Sequence, residues 1–163
     1  MTSVLPTHAR AQWANGGWRM TKRRMALTIF AAFLVLEVLE TLIHGFVLAD
    51  DYAPYYGTLL RSGDGPAAQM LLLPVAHLCF VFGLVFIFTR LPLAGSRVTR
   101  GLKIGMLGWL VGQAPVWLLW YAEQPWPGAL VLKQLALELA AALVVGLTIA
   151  FVAGRGVLEP RAA

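Results

Sequence analysis

Charge is scarce in this sequence. Asp, Glu, Lys and Arg make up 13% of its 163 residues, 59% are hydrophobic, and the mean hydropathy is +0.71. Soluble globular chains carry roughly 25% charged and 45 to 50% apolar residues, so a disordered tail, a collagen-like fibre and an ordinary cytosolic enzyme are excluded. Cysteine is nearly absent too. Cys79 stands alone inside an apolar run, which rules out an intrachain disulfide and leaves the redox compartment unmarked. Serine is confined to Ser3, Ser62 and Ser96, all in tails or connections, so no serine nucleophile lies within a hydrophobic segment. There is no phosphate loop or dinucleotide fingerprint, because the glycines from Gly101 to Gly112 follow no strand. The net charge of +5 and pI near 9.9 come without a basic patch interleaved with aromatics, and nucleic acid is not expected as a partner.

What the sequence has in quantity is long apolar runs. About 20 apolar residues cross a bilayer as a helix, and the segments Ala26 to Ala49, Ala67 to Thr89, Leu102 to Tyr121 and Gly128 to Val152 each reach that length between charges, Pro or Gly. The expected fold is all-α: a four-helix transmembrane bundle over residues 26–152, with a basic tail at 1–25 and a short tail at 153–163. A signal peptide is the competing account of the first run. Its length exceeds an h-region of roughly 7 to 15 residues, and Glu37 and Glu40 lie inside it, which argues for a span.

Orientation follows from the basic residues. Arg10, Arg19, Lys22, Arg23 and Arg24 precede span one; Arg90, Arg97, Arg100 and Lys103 separate spans two and three; Arg155 and Arg161 follow span four. All of these fall on one side. The opposite connections hold Asp50, Asp51, Asp64 and Glu123 with Arg61 as their one basic residue, so both termini are expected in the cytoplasm. Trp13 and Trp18 at the inner edge, and Tyr52, Tyr55, Tyr56, Trp120, Tyr121 and Trp126 at the outer edge, are placed to form aromatic belts. Tyr55 to Arg61 could form a short interfacial helix. Arg far outnumbers Lys, as in a GC-rich bacterial genome, which would put the protein in a bacterial plasma (inner) membrane.

Helices in lipid associate through close packing and polar contacts. On span three Gly101, Gly105, Gly108 and Gly112 fall within about 60° of one another at 100° per residue, and Ala142, Gly146 and Ala150 align in the same way on span four. These faces are expected to hold the bundle together; the alternative is a homo-oligomer or larger membrane complex joined through the Gly101 to Gly112 face. Pro74 and Pro115 should kink spans two and three, freeing the carbonyls of Met70 and Val111.

The residues that point to function are polar and lie within the spans: Glu37, Glu40 and His44 on the first, His77 on the second, Gln113 on the third, and Lys133 and Glu138 on the fourth. At about 1.5 Å per residue, Glu40, His77, Gln113 and Glu138 all lie roughly 13 to 17 Å from the outer end. Glu37, Glu40, Thr41 and His44 share an arc of about 100°, a stripe that should face inward. Lys133, near the outer end, is expected to snorkel and stays outside the site.

An ionised carboxylate at the bilayer centre costs on the order of 3 kcal/mol, so three of them need partners or protons. One account is a hydrogen-bonded layer that only fixes helix packing, in a non-catalytic accessory or oligomeric subunit. A second is a single transition metal (Zn, Fe or Mn), for which carboxylate and imidazole are suitable ligands. Di-iron carboxylate bundles use Glu-x-x-His pairs on two helices, whereas this run is Glu37-x-x-Glu40-x-x-x-His44 on one. A mononuclear site from Glu40, His77 and Glu138 is therefore the most that the spacing supports. A third account is proton handling, alone or coupled to small-solute transport, along Glu37, Glu40 and His44; a fourth is acid–base chemistry on a membrane lipid. Haem is not expected, because His44 lies about 8 Å nearer the surface than His77 at the helical rise.

Overall fold

The computed structural model describes residues 20–60 and 71–154. The tails, with Arg10, Trp13, Trp18, Arg19, Arg155 and Arg161, lie outside the described residues, as do Arg61, Asp64 and Met70. Helix α1 covers Lys22–Leu42 and runs on through a π-helical turn, Ile43–Val47; α2 is the short Ala49–Tyr52, followed by a 3-10 turn at Ala53–Tyr55. Helix α3 covers Leu72–Arg90, α4 covers Arg97–Gly108, a second π-helical turn spans Trp109–Gln113, α5 covers Ala114–Glu123 and α6 covers Gly128–Ala153. Four of the resulting rods are long and apolar enough to cross a membrane: Lys22–Val47, Leu72–Arg90, Arg97–Glu123 and Gly128–Ala153. The protein is thus an all-helical, membrane-type bundle.

Capping shows where two of the rods begin. The Thr21 hydroxyl accepts the Arg24 N–H and the Ser96 hydroxyl accepts the Thr99 N–H, satisfying donors that the first turn leaves free. At the end of α6, Gly154 adopts φ 72°, a left-handed conformation that stops the helix at little steric cost. Leu27, Phe30 and Leu34 on α1 and Leu72, Val75 and Phe82 on α3 are all exposed, an outer surface suited to acyl chains and not to water.

Inside, α6 is the central helix. It runs antiparallel to α4 and to α1, burying Val145, Ile149, Ala150 and Ala153 with Ala32, Leu36, Val85, Phe88 and Ile104 in one half of the bundle. In the other half, Leu130, Val131 and Ala141 pack with Ile43, Leu48, Tyr52 and Trp126. Two polar side chains of α6, Gln134 at 0% and Glu138 at 3% exposure, interrupt the apolar packing.

The glycine face of α4 has a specific use. A Cβ built at Gly101 or Gly105 would lie 2.8 Å from the Cα of Leu147 or Leu143 on α6, and one at Gly108 or Gly112 would strike Leu84 or Phe80 of α3. The chain's own α6 and α3 therefore occupy the Gly101 to Gly112 face, and Ala142 and Gly146 supply the facing surface.

Several local expectations change. Pro74 falls in the first turn of α3, where a missing N–H breaks no intrahelical bond, so it does not kink a span interior. Pro115 does disturb its span: its ring and missing N–H cannot sit against the Val111 carbonyl in a regular helix. The π turn absorbs the conflict, with the Ala114 N–H reaching back to the Trp109 carbonyl. The short outer helix is Ala49–Tyr52, before the expected Tyr55 to Arg61, and Tyr56 to Leu60 form a turn closed by the Gly57 N–H to Leu60 carbonyl bond of 2.7 Å. Tyr52 and Trp126 are core residues at 4% exposure, whereas Tyr56, Trp120 and Tyr121 are exposed.

Candidate functional site

One nitrogen atom organises the polar interior. His44 lies four residues after Glu40, so the two side chains meet on one helix face, and His44 Nε2 is 2.9 Å from Glu40 Oε2. From α6, Glu138 Oε1 approaches the same nitrogen at 3.2 Å. Exposure falls inward, with the side chains of His44 at 34%, Glu40 at 12% and Glu138 at 4%. The π turn carries His44 itself, and the second π turn ends at Gln113, whose Nε2 donates to Glu138 Oε2 at 2.9 Å. Two breaks in regular helix thus each deliver one polar side chain to Glu138. The Trp109 indole N–H, donating to the Leu135 carbonyl at 3.0 Å, ties the same stretch to α6 nearby.

The far side of the imidazole is held as well. His44 Nδ1 lies 3.0 Å from the Tyr52 hydroxyl, and the two rings stack with centroids 5.7 Å apart at 18°. Tyr52 is fixed in turn by the edge of Trp126. Burial, reinforced by the negative charges of Glu138 and Glu40, pushes the Tyr52 phenol upward from its ordinary range, so it stays protonated and can either donate or accept. Nε2 faces the two carboxylates and Nδ1 faces the Tyr52 hydroxyl, which can accept from Nδ1–H or donate to a bare Nδ1. Were a cation to take the Nε2 lone pair, the ring proton would sit on Nδ1 and the phenol oxygen would accept it.

The ligand atoms offered by Glu40, His44 and Glu138 all lie within 4.8 Å of one another. Zinc bonds of roughly 2.0 to 2.2 Å in a tetrahedron imply ligand–ligand edges of about 3.3 Å, and the 2.9 and 3.2 Å contacts at His44 are close to that. Several amide atoms beside these residues are buried without a partner: Gln113 Oε1, and both the Oε1 and Nε2 of Gln134, one turn before Glu138 on the same helix. A buried polar atom without a hydrogen bond costs about 1 to 3 kcal/mol.

The structure brings together Glu40, Gln113 and Glu138 from the expected layer, but not His77. That histidine pairs with Glu37 instead, Nδ1 to Oε1 at 2.8 Å, forming a separate α1–α3 contact. His44 takes its place beside the carboxylates. The His44 side chain reaches back one helical turn to Glu40, a reach that Cα depth alone does not register. Thr41 is exposed, so the polar stripe of α1 faces inward only in part. The Lys133 ammonium, exposed near the end of its span, donates to both Asp51 carboxylate oxygens at 2.8 and 2.9 Å, outside the cluster. Tyr52 went unrecognised as a site residue, since an aromatic at the membrane edge has an ordinary explanation there.

No family model matches this chain, and no curated protein or solved structure is found to be similar to it.

Proposed function

We propose that the protein is a multi-pass membrane protein, with both termini in the cytoplasm, that binds one divalent transition-metal ion within the bilayer. The ligands are Glu40, His44 and Glu138. The observation that carries this reading is the convergence of two carboxylates, from two helices, on a single imidazole nitrogen. A layer that merely fixed helix register would be served by Ser, Asn or Gln at lower desolvation cost, and interhelical polar contacts in membranes average under about 1 kcal/mol. Tyr52 on Nδ1 is the outer partner that metal-bound histidines characteristically have, orienting the ring and setting its tautomer. One nitrogen and two carboxylate oxygens suit Zn, Fe(II) or Mn better than a soft ion such as Cu(I). Three protein ligands leave at least one position open, the pattern of a site that exchanges its ion or presents it to a small molecule. The partial exposure of His44 supports entry from that side.

The test is zinc titration of the purified, chelator-stripped protein, followed by calorimetry. Wild type should take up one ion per chain. Glu138→Gln and His44→Gln keep hydrogen-bonding capacity and should weaken binding by more than about 100-fold, since losing even an outer partner costs about 10- to 100-fold. His77→Gln should bind as wild type does. Absence of uptake by wild type sinks the proposal, and metal-free protein that loses its cellular activity in Glu40→Gln would assign the layer to proton exchange instead.

A further inference from the structure

Gln113 closes the second π turn, the distortion that accommodates Pro115, and its Nε2 donates to Glu138 Oε2 at 2.9 Å. The amide has one workable orientation there. Turned over, its oxygen would meet a carboxylate oxygen, acceptor against acceptor. With the NH2 group committed to Glu138, Gln113 Oε1 is left buried without a partner. A methionine at 113 would fill nearly the same space without an orphaned oxygen, so what the glutamine contributes is its donor.

That donor divides the two oxygens of Glu138. Oε1 faces His44 Nε2 at 3.2 Å, where Glu40 also converges, while Oε2 accepts the charge-assisted bond from Gln113. A chelating carboxylate gives both oxygens to the ion; here the hydrogen bond holds Oε2 back, and Glu138 offers one ligand atom. Glu40 has no such restraint, since among the described residues no donor other than His44 reaches its carboxylate. The three residues together therefore supply three or four ligand atoms. Zinc is bound at four positions, whereas Mn(II) in oxygen-rich sites takes six. Filling a six-fold shell would require further ligands in a space where the side chains of Glu40 and Glu138 are only 12% and 4% exposed. Given an ion held by Glu40, His44 and Glu138, the reading proposed above on which this step rests, we infer that Gln113 is the specificity-determining residue of the site. By holding Glu138 to a single metal bond it keeps the coordination number low and favours zinc over Mn(II).

Zinc exceeds manganese in affinity at almost any site of nitrogen and oxygen ligands, so the diagnostic quantity is the change in the ratio of the two affinities. It is measured by competitive titration of the purified, chelator-stripped full-length protein in detergent with Zn(II) and Mn(II). Gln113→Met keeps the volume and removes the donor; Gln113→Asn keeps the amide but draws it back by one methylene. Both variants should narrow the zinc-to-manganese ratio by at least about 10-fold, the scale of losing an outer partner, with zinc affinity falling while manganese affinity holds or rises. Tyr52→Phe, which acts through the imidazole and not through coordination number, should weaken both ions alike and leave the ratio where it was. A Gln113 that merely supported the fold would behave in the same way as Tyr52→Phe. An unchanged ratio in either folded Gln113 variant, with zinc still bound by wild type, would overturn the specificity role and leave the metal site standing. Failure of wild type to bind either ion would overturn both.

Discussion

Adding one methyl group at Gly146 should damage both the fold and the metal site. A Cβ at this position would lie 2.6 Å from the amide nitrogen and 2.8 Å from the Cα of Gly105, with the Gly101 carbonyl oxygen nearer still. Carbon contacts are comfortable at about 3.5 to 4.0 Å, so α4 and α6 would have to separate by roughly 1 Å. All three obstacles are backbone atoms, and no side chain can rotate away. Overpacking of this kind costs about 1 to 3 kcal/mol, which corresponds to roughly 5- to 150-fold in the unfolding equilibrium. The same separation, carried along the seam, would stretch the 2.9 Å bond from Gln113 to Glu138 to nearly 4 Å, beyond hydrogen-bonding range. Gly83 is the control, since a Cβ there meets nothing within 4 Å. Reversible denaturation in micelles should show Gly146→Ala destabilised by at least about 1 kcal/mol, with weakened zinc binding, and Gly83→Ala neutral or slightly stabilised by its higher helix propensity. Equal stability of the two variants would refute the backbone-to-backbone packing of α4 on α6.

Tyr52→Phe should lower zinc affinity by about 10- to 100-fold while leaving the helical content unchanged, because Nδ1 loses its orienting partner; calorimetry beside wild type measures it, and unchanged affinity would show the stacked ring alone to be sufficient. Zinc affinity should also fall as pH drops, since protons compete with the ion for His44. A pH-independent affinity between about 5.5 and 7.5 would exclude histidine ligation. In a Cys79→Ser background, a cysteine at Gln124 should react with an impermeant reagent from outside and one at Ser96 only from the cytoplasm; the reverse pattern would overturn the charge-based orientation.

Much of the architecture can be read from the sequence because its cause is one-dimensional. Length and apolarity mark four spans whether or not their neighbours are known, and Gly101, Gly105, Gly108 and Gly112 recur at helical spacing, so their shared face is visible in advance. The site is only half visible. Glu40 and Glu138 stand out because a carboxylate inside a span requires a partner, but which histidine supplies it depends on side-chain reach and on two π turns that leave no periodic mark. Pro115 hints at the second of these; nothing comparable announces the turn that holds His44. Tyr52 reaches the imidazole from eight residues away through a change of chain direction after α1, which no spacing rule encodes. Pro74 shows the converse, since its effect depended on where α3 begins.

X-ray absorption at the zinc K-edge of the metal-loaded protein tests the central claim most directly. Binding at Glu40, His44 and Glu138 predicts a first shell of one nitrogen and two or three oxygens at about 2.0 to 2.2 Å, with the outer scattering of a single imidazole that disappears in His44→Gln and persists in His77→Gln. A shell without imidazole, or an imidazole signal that vanishes with His77 and not with His44, would contradict it.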